Sequence, residues 1–101
     1  MLYNVKMGMF KDRLESDYKG VHIWVETDIT HLLPPQVRTR LLVNGQPAAE
    51  VSFFQGQVWL PGTFFVGEQE HRVKLLIHHG LMGTDYRLEI DGQDHPLTRL
   101  Q

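Results

Sequence analysis

Six histidines, at positions 22, 31, 71, 78, 79 and 95, are the residues of this 101-residue chain best suited to bind a metal or shuttle protons. A zinc site takes ligands at i and i+2 on a strand, or i and i+4 on a helix, with a distant third to complete it. His78 and His79 are adjacent, so on a strand they face opposite ways, and His22, His31, His71 and His95 each stand alone. The residue types permit metal chemistry, but their spacing does not assemble it. A site gathered in space from His22, His78 and nearby carboxylates is the enzymatic alternative that remains.

Two carboxylate pairs share strand faces, Glu26 with Asp28 and Asp85 with Glu89. One member of such a pair would have to be buried, with its pKa raised, to work as a general acid. Interleaved with Thr27 and Arg87, both pairs are expected on the hydrated side of a sheet. Nucleophilic catalysis has less to draw on. There is no cysteine, the serines are Ser16 and Ser52, and no G-x-S-x-G elbow occurs. Ser52 stands beside Phe53 and Phe54 in a strand-like run, where an outward structural residue is expected. "DGQDH", residues 91–95, lacks the alternating acids and closing glutamate of a calcium loop, and no glycine-rich loop opens a helix to cradle phosphate. The expectation is a non-enzyme with no catalytic residue, no metal and no cofactor.

The elements that would position these groups follow from period-two alternation. Tyr3, Val5, Met7 and Met9 share a face, as do Val21, Ile23 and Val25, and Val37, Leu41 and Val43. Further on, Ala49, Val51 and Phe53 align, then Val73, Leu75 and Ile77, then Tyr86, Leu88 and Ile90. "GQVWLPGTFFVG" reads as two short runs around Pro61–Gly62. Asn44–Gly45 and Asp91–Gly92 are hairpin signals, because a type I′ turn needs positive φ at both central residues. "MFKDRLESDYKG" reads as a loop with one helical turn, its Phe10 and Leu14 four apart. "HLLPPQV" reads as an irregular connection, since two prolines remove two donors. The fold class is therefore all-β, an antiparallel β-sandwich or flattened barrel of seven to eight short strands. Residues 1–101 form one domain: an N-terminal strand and covering loop over 1–19, then the β core.

Composition narrows the function. With 42% apolar and 22% charged residues, the chain reads as an ordinary globular domain. The absent cysteines fit a reducing compartment, the N-terminus has no apolar run of signal-peptide length, and the cytoplasm is expected. The uncharged stretch from Val51 to Gly67 is broken by glycines and a proline, so it is no membrane-spanning helix. Were it at a sheet edge, its β-propensity predicts weak self-association. Net charge is −2 and no membrane partner is expected. Arg38, Arg40, Arg72, Lys74 and Arg87 fall at outward positions, but Glu26, Glu50, Asp85 and Glu89 interleave with them. That surface predicts cross-strand ion pairs in preference to a single-strand nucleic-acid channel, so nucleic acid ranks third as a function.

Four apolar residues break the alternation: Trp24, Leu42, Phe54 and Leu76 occupy outward positions. Either the N-terminal loop, with Phe10, Leu14 and Tyr18, folds over them, or they form a protein-binding surface anchored by Trp24.

Taken in order, "GVHIWVE" (20–26), "LLVNGQ" (41–46), "GTFFVG" (62–67) and "YRLEIDGQDHPLTRL" (86–100) resemble one β-domain of the Fas apoptotic inhibitory molecule family. The resemblance covers residues 20 to 100 and implies a compact cytosolic β-sandwich without catalytic residues. It also implies action through protein contacts in survival signalling or in protection against aggregation. The chain departs from the family by having room for one such domain instead of two. It also has Tyr3 where the family has a Trp, a displaced Trp59, and a "THLLPPQV" segment without counterpart.

Overall fold

The computed structural model describes residues 11–32 and 35–100. Nine strands run through them: β1 (Lys11–Tyr18), β2 (Val21–Leu32), β3 (Pro35–Val43), β4 (Gln46–Phe53), β5 (Gly56–Val66), β6 (Gln69–Gly80), β7 (Gly83–Ile90), β8 (Gln93–His95) and β9 (Thr98–Arg99). They form two antiparallel sheets, β4-β3-β2-β1-β9 and β5-β6-β7-β8, packed as a β-sandwich. The chain changes sheet at two corners, Phe54–Gln55 and Pro96–Leu97.

Alternation determines what the sheets bury. From the first sheet, Leu14, Ile23, Val25, Val37 and Leu41 point inward; from the second, Leu60, Phe64, Val73, Leu75, Ile77 and Leu88 meet them. Each fully buried aliphatic side chain contributes about 1.5–3 kcal/mol. Gly62 lies where the sheets approach closely: a Cβ there would stand 3.3 Å from Val73 Cγ1 and 3.6 Å from Leu41 Cδ2. Three hairpins turn on residue pairs with positive φ at both positions, Lys19–Gly20, Asn44–Gly45 and Asp91–Gly92. The latter two are the ones the sequence signals; Lys19–Gly20 is a third.

Two segments differ from expectation. Residues 11–18 form a strand, not a loop with a helical turn. The strand pairs with β2, so Leu14 is buried opposite Val25 and Ser16 opposite Ile23. Ser16, a polar residue at an inward position, hides the alternation. Its hydroxyl is satisfied by donating to the Pro96 carbonyl at 2.7 Å. The covering-loop reading therefore fails for Leu14 and Tyr18, which both belong to β1. Leu14 turns into the core, away from the outward Trp24, and Tyr18 packs against the same core. Phe10, and the expected strand through Tyr3 to Met9, lie outside the described residues. In the second segment, β2 extends to Leu32 and β3 begins at Pro35, so the strands reach into the stretch expected to be irregular. Pro61 likewise does not split β5, which runs unbroken for 11 residues.

The sandwich measures 45 × 29 × 19 Å. A 12-residue strand such as β2 spans about 40 Å, so the strands follow the long axis and the turns gather at two poles. One pole carries Lys19–Gly20, Asn44–Gly45, Gly67–Glu68 and Asp91–Gly92, all polar or glycine. At the other lie the corner with Phe54 and the β6–β7 tip, Leu81–Met82. The contact of Tyr18 with His71 at the first pole, and of Tyr86 with Asp12 towards the second, shows that the two sheets share these ends.

Candidate functional site

The expected ion pairs form across the outer faces. Arg40 Nη2 donates to Glu26 Oε1 at 2.9 Å, Arg38 approaches Asp28 at 3.9 Å and Glu50 at 4.0 Å, and Arg87 bridges Glu89 at 3.3 Å and Asp94 at 3.2 Å. These pairs engage Glu26, Asp28 and Glu89 of the two carboxylate pairs and three of the five outward cations, so the surface alternates in sign. An open groove on the outer face of the second sheet has the same mixed character: Thr63, Arg72 and Lys74 stand beside Glu89 and Asp91.

The histidines disperse. His78 is exposed on the outer face of β6, while His79, turned inward and half-buried, shares a hydrogen bond with Thr84 Oγ1 at 2.7 Å. His22 sits between Asp17 at 3.1 Å and Glu15 at 3.5 Å, one carboxylate at each ring nitrogen, on the other sheet from His78. His95 Nε2 donates to the Asp17 carbonyl at 3.0 Å. Among the described residues no three His, Cys, Asp or Glu side chains converge to hold a metal. The His31 side chain lies outside the description.

Two polar clusters penetrate the interior, and the sequence signals neither. Near one pole His71, 2% exposed, is stacked on Phe64 and meets Tyr18 edge-on. Its Nδ1–H donates to Asp91 Oδ2 at 2.6 Å, while Asp91 Oδ1 accepts the Arg72 backbone N–H at 2.9 Å. The Arg72 amide and then His71 hold the Asp91 carboxyl below its usual range. His71 Nε2 is buried without a partner. Towards the other pole, Tyr86 Oη donates to Asp12 Oδ2 at 2.8 Å and Arg99 Nη1 donates to Asp12 Oδ1 at 3.0 Å. Arg99 also donates to the Thr84 carbonyl at 3.0 Å and lies over the Tyr86 ring. The buried Thr27 and Thr39 hydroxyls share a hydrogen bond of 2.8 Å. Burial pushes the Tyr86 phenol well above its ordinary range, and the neighbouring Asp12 adds to the shift. Both clusters tie strands together, and the His71 Nε2 left without a partner is sealed in the interior.

The four apolar residues that break alternation do not form one patch. Trp24 and Leu42, both half-buried, are opposite each other on β2 and β3, with the exposed Pro47 next across on β4, making a row on the outer face of the first sheet. The Trp24 indole N–H is inaccessible and has no acceptor. Leu76 is on the other sheet, half-buried between Trp59 and Arg87. Phe54 is at the β4–β5 corner, 56% exposed. Among the described residues the most exposed apolar side chains are ones the alternation does not single out: Leu81 and Met82, both fully exposed at the β6–β7 tip. The available signal is their setting, two large apolar residues between Gly80 and Gly83 where a turn would be polar. Comparison with protein families, curated proteins and solved structures finds no match to this chain.

Proposed function

We propose that the chain is a non-enzymatic binding module that engages another protein through its apolar pole, with Leu81, Met82 and Phe54 as the contact residues. The carrying observation is the asymmetry between the ends. Four turns at one pole are polar or glycine, while the opposite pole holds three of the large exposed apolar side chains. Leaving Leu81 and Met82 in water forgoes about 1.5–3 kcal/mol of burial each, which a partner with an apolar recess recovers. A protruding tip fits a recess better than a flat face. Trp24, Leu42 and Leu76, already half-covered by neighbours, take a secondary part, and Phe54 is the member of the original four that lies at this pole. The resemblance to the Fas apoptotic inhibitory molecule family supports the mode of action, contact with protein, and supplies no partner. A cytoplasmic setting belongs to the same proposal.

The test compares proteins that co-purify with the wild-type chain and with Leu81→Asp/Met82→Asp. Both positions are solvent-exposed, so thermal stability should be unchanged within about 0.5 kcal/mol. Specific partners should fall by about ten-fold or more, the effect of losing an apolar anchor. An unaltered set of partners would refute the assignment.

A further inference from the structure

Among the described residues β5 is an edge strand of its sheet, and the direction of its outer backbone groups follows from the neighbouring ladder. Arg72 on β6 gives its N–H to the Asp91 side chain and takes the Asp91 N–H on its carbonyl, both on the β7 side. In an antiparallel ladder a residue directs both groups to the same neighbour and successive residues alternate. Even-numbered β6 residues therefore face β7 and odd-numbered ones face β5. The register pairs Val73 with Gly62 and His71 with Phe64, so even-numbered β5 residues face β6. Gln57, Trp59, Pro61, Thr63 and Phe65 are left facing the open edge. Pro61, which has no N–H, stands in the middle of that edge, where its missing donor breaks no bond to β6. It divides the edge into two halves.

The half nearer Gly56 follows β4 through the two-residue corner Phe54–Gln55, and β4 runs alongside as far as Gly62, where a Cβ would lie 3.8 Å from Ala49 Cβ. The other half, Gly62–Val66, is "GTFFV", uncharged and without proline, with Phe65 59% exposed. Among the described residues no other edge compares. β4 carries Pro47, Glu50 and a register irregularity near Leu41–Leu42, and β8 and β9 have three and two residues. Charge, proline, bulges and shortness are the devices that keep strand edges apart. Gly62–Val66 has none of them.

We propose that this half of β5 pairs with the same segment of a second copy, joining two four-stranded sheets into one of eight strands. A strand edge is satisfied only by another extended backbone, and a second β5 offers the complementary groups in a symmetric register. Antiparallel pairing about a two-fold axis at Phe64 sets Thr63 opposite Phe65 of the second copy, both with edge-facing groups, and sets Pro61 beyond the paired stretch. Shifting the axis to Thr63 would put Pro61 opposite Phe65 and lose a bond, so proline selects the register. The pairing uses neither Leu81 nor Met82 and stands apart from the apolar-pole reading.

Sedimentation velocity over a wide concentration range, with amide hydrogen exchange, tests the pairing. Dimer should form as concentration rises, and exchange at Thr63 and Phe65 should slow while Phe64 and Val66, already bonded to β6, stay unchanged. Thr63→Lys/Phe65→Lys sets like charges in the paired stretch and should weaken association about ten-fold or more. Phe65→Pro removes an edge-facing N–H and should do the same, with circular dichroism confirming that each variant is folded. Leu81→Asp/Met82→Asp should associate like the wild type. A chain that stays monomeric throughout would overturn the proposal. So would a dimer that survives both edge variants, or one abolished by the tip variant.

Discussion

Tyr86→Phe should destabilise the domain by an amount the structure allows one to work out. The hydroxyl donates to an ionised partner, Asp12, at 2.8 Å, and a hydrogen bond to a charged group contributes about 1.5–3 kcal/mol. Asp12 is not orphaned by the change, because Arg99 still donates to its other oxygen at 3.0 Å, so the low end applies. A loss of about 1.5 kcal/mol lowers Tm by roughly 6–12 °C in a domain of this size. The ring stays in place, so no cavity adds to the loss. The same substitution carries a pH signature. The Tyr86 phenol is raised above its unfolded value, chiefly by burial, so its protonated form is favoured in the folded state. Its contribution is fully present below the unfolded pKa of about 10 and is lost as pH rises towards the folded value. Thermal melts from neutral to strongly alkaline pH should show the wild type losing stability above about pH 10 and Tyr86→Phe losing less of it. A neutral-pH Tm within about 2 °C of wild type, which in this size class corresponds to under 0.5 kcal/mol, together with an identical alkaline limb, would refute the reasoning.

Two further outcomes follow from the interior. Thr39→Val removes the Thr27–Thr39 hydrogen bond but leaves the Thr27 hydroxyl its bond to Tyr86, so it should cost about 0.5–1.5 kcal/mol in denaturant unfolding, and adding Thr27→Val should cost less than the two single changes summed. Asp91 has a depressed pKa, so its contribution is present above the usual carboxylate range and lost as pH falls below it; Asp91→Asn should flatten the acid limb of stability measured by chemical unfolding.

Much of the fold was legible because side-chain parity on a strand is a strict rule. Val21, Ile23 and Val25, or Val73, Leu75 and Ile77, declare a buried face without reference to anything distant, and the structure buries them. Asn44–Gly45 and Asp91–Gly92 were legible for an equally local reason, backbone strain that few residues tolerate. Parity failed where an inward position is polar and its partner is far away in sequence. Ser16 is satisfied by the Pro96 carbonyl, 80 residues on, which no local pattern shows, and so β1 looked like a loop. Lys19–Gly20 was missed because lysine is a poor φ-positive signal. Pro61 suggested a break, yet its missing donor faces an open edge, and whether an edge exists is a property of the assembled sheet. The outward apolar residues were identified correctly as outward, but whether they meet depends on which sheet each strand joins. Trp24 and Leu76 went to different sheets. Leu81 and Met82 lay between two strand patterns, where parity makes no statement.

The proposed interface is tested most directly by comparing the two poles of one folded chain. A photo-crosslinking amino acid is placed at Met82 in one version and at Glu68, in the opposite turn, in another, each expressed in the native host. Protein adducts that form from position 82, not from 68, and disappear with Phe54→Asp/Leu81→Asp are the predicted result. Equal adducts from both poles, or adducts confined to position 68, would contradict it.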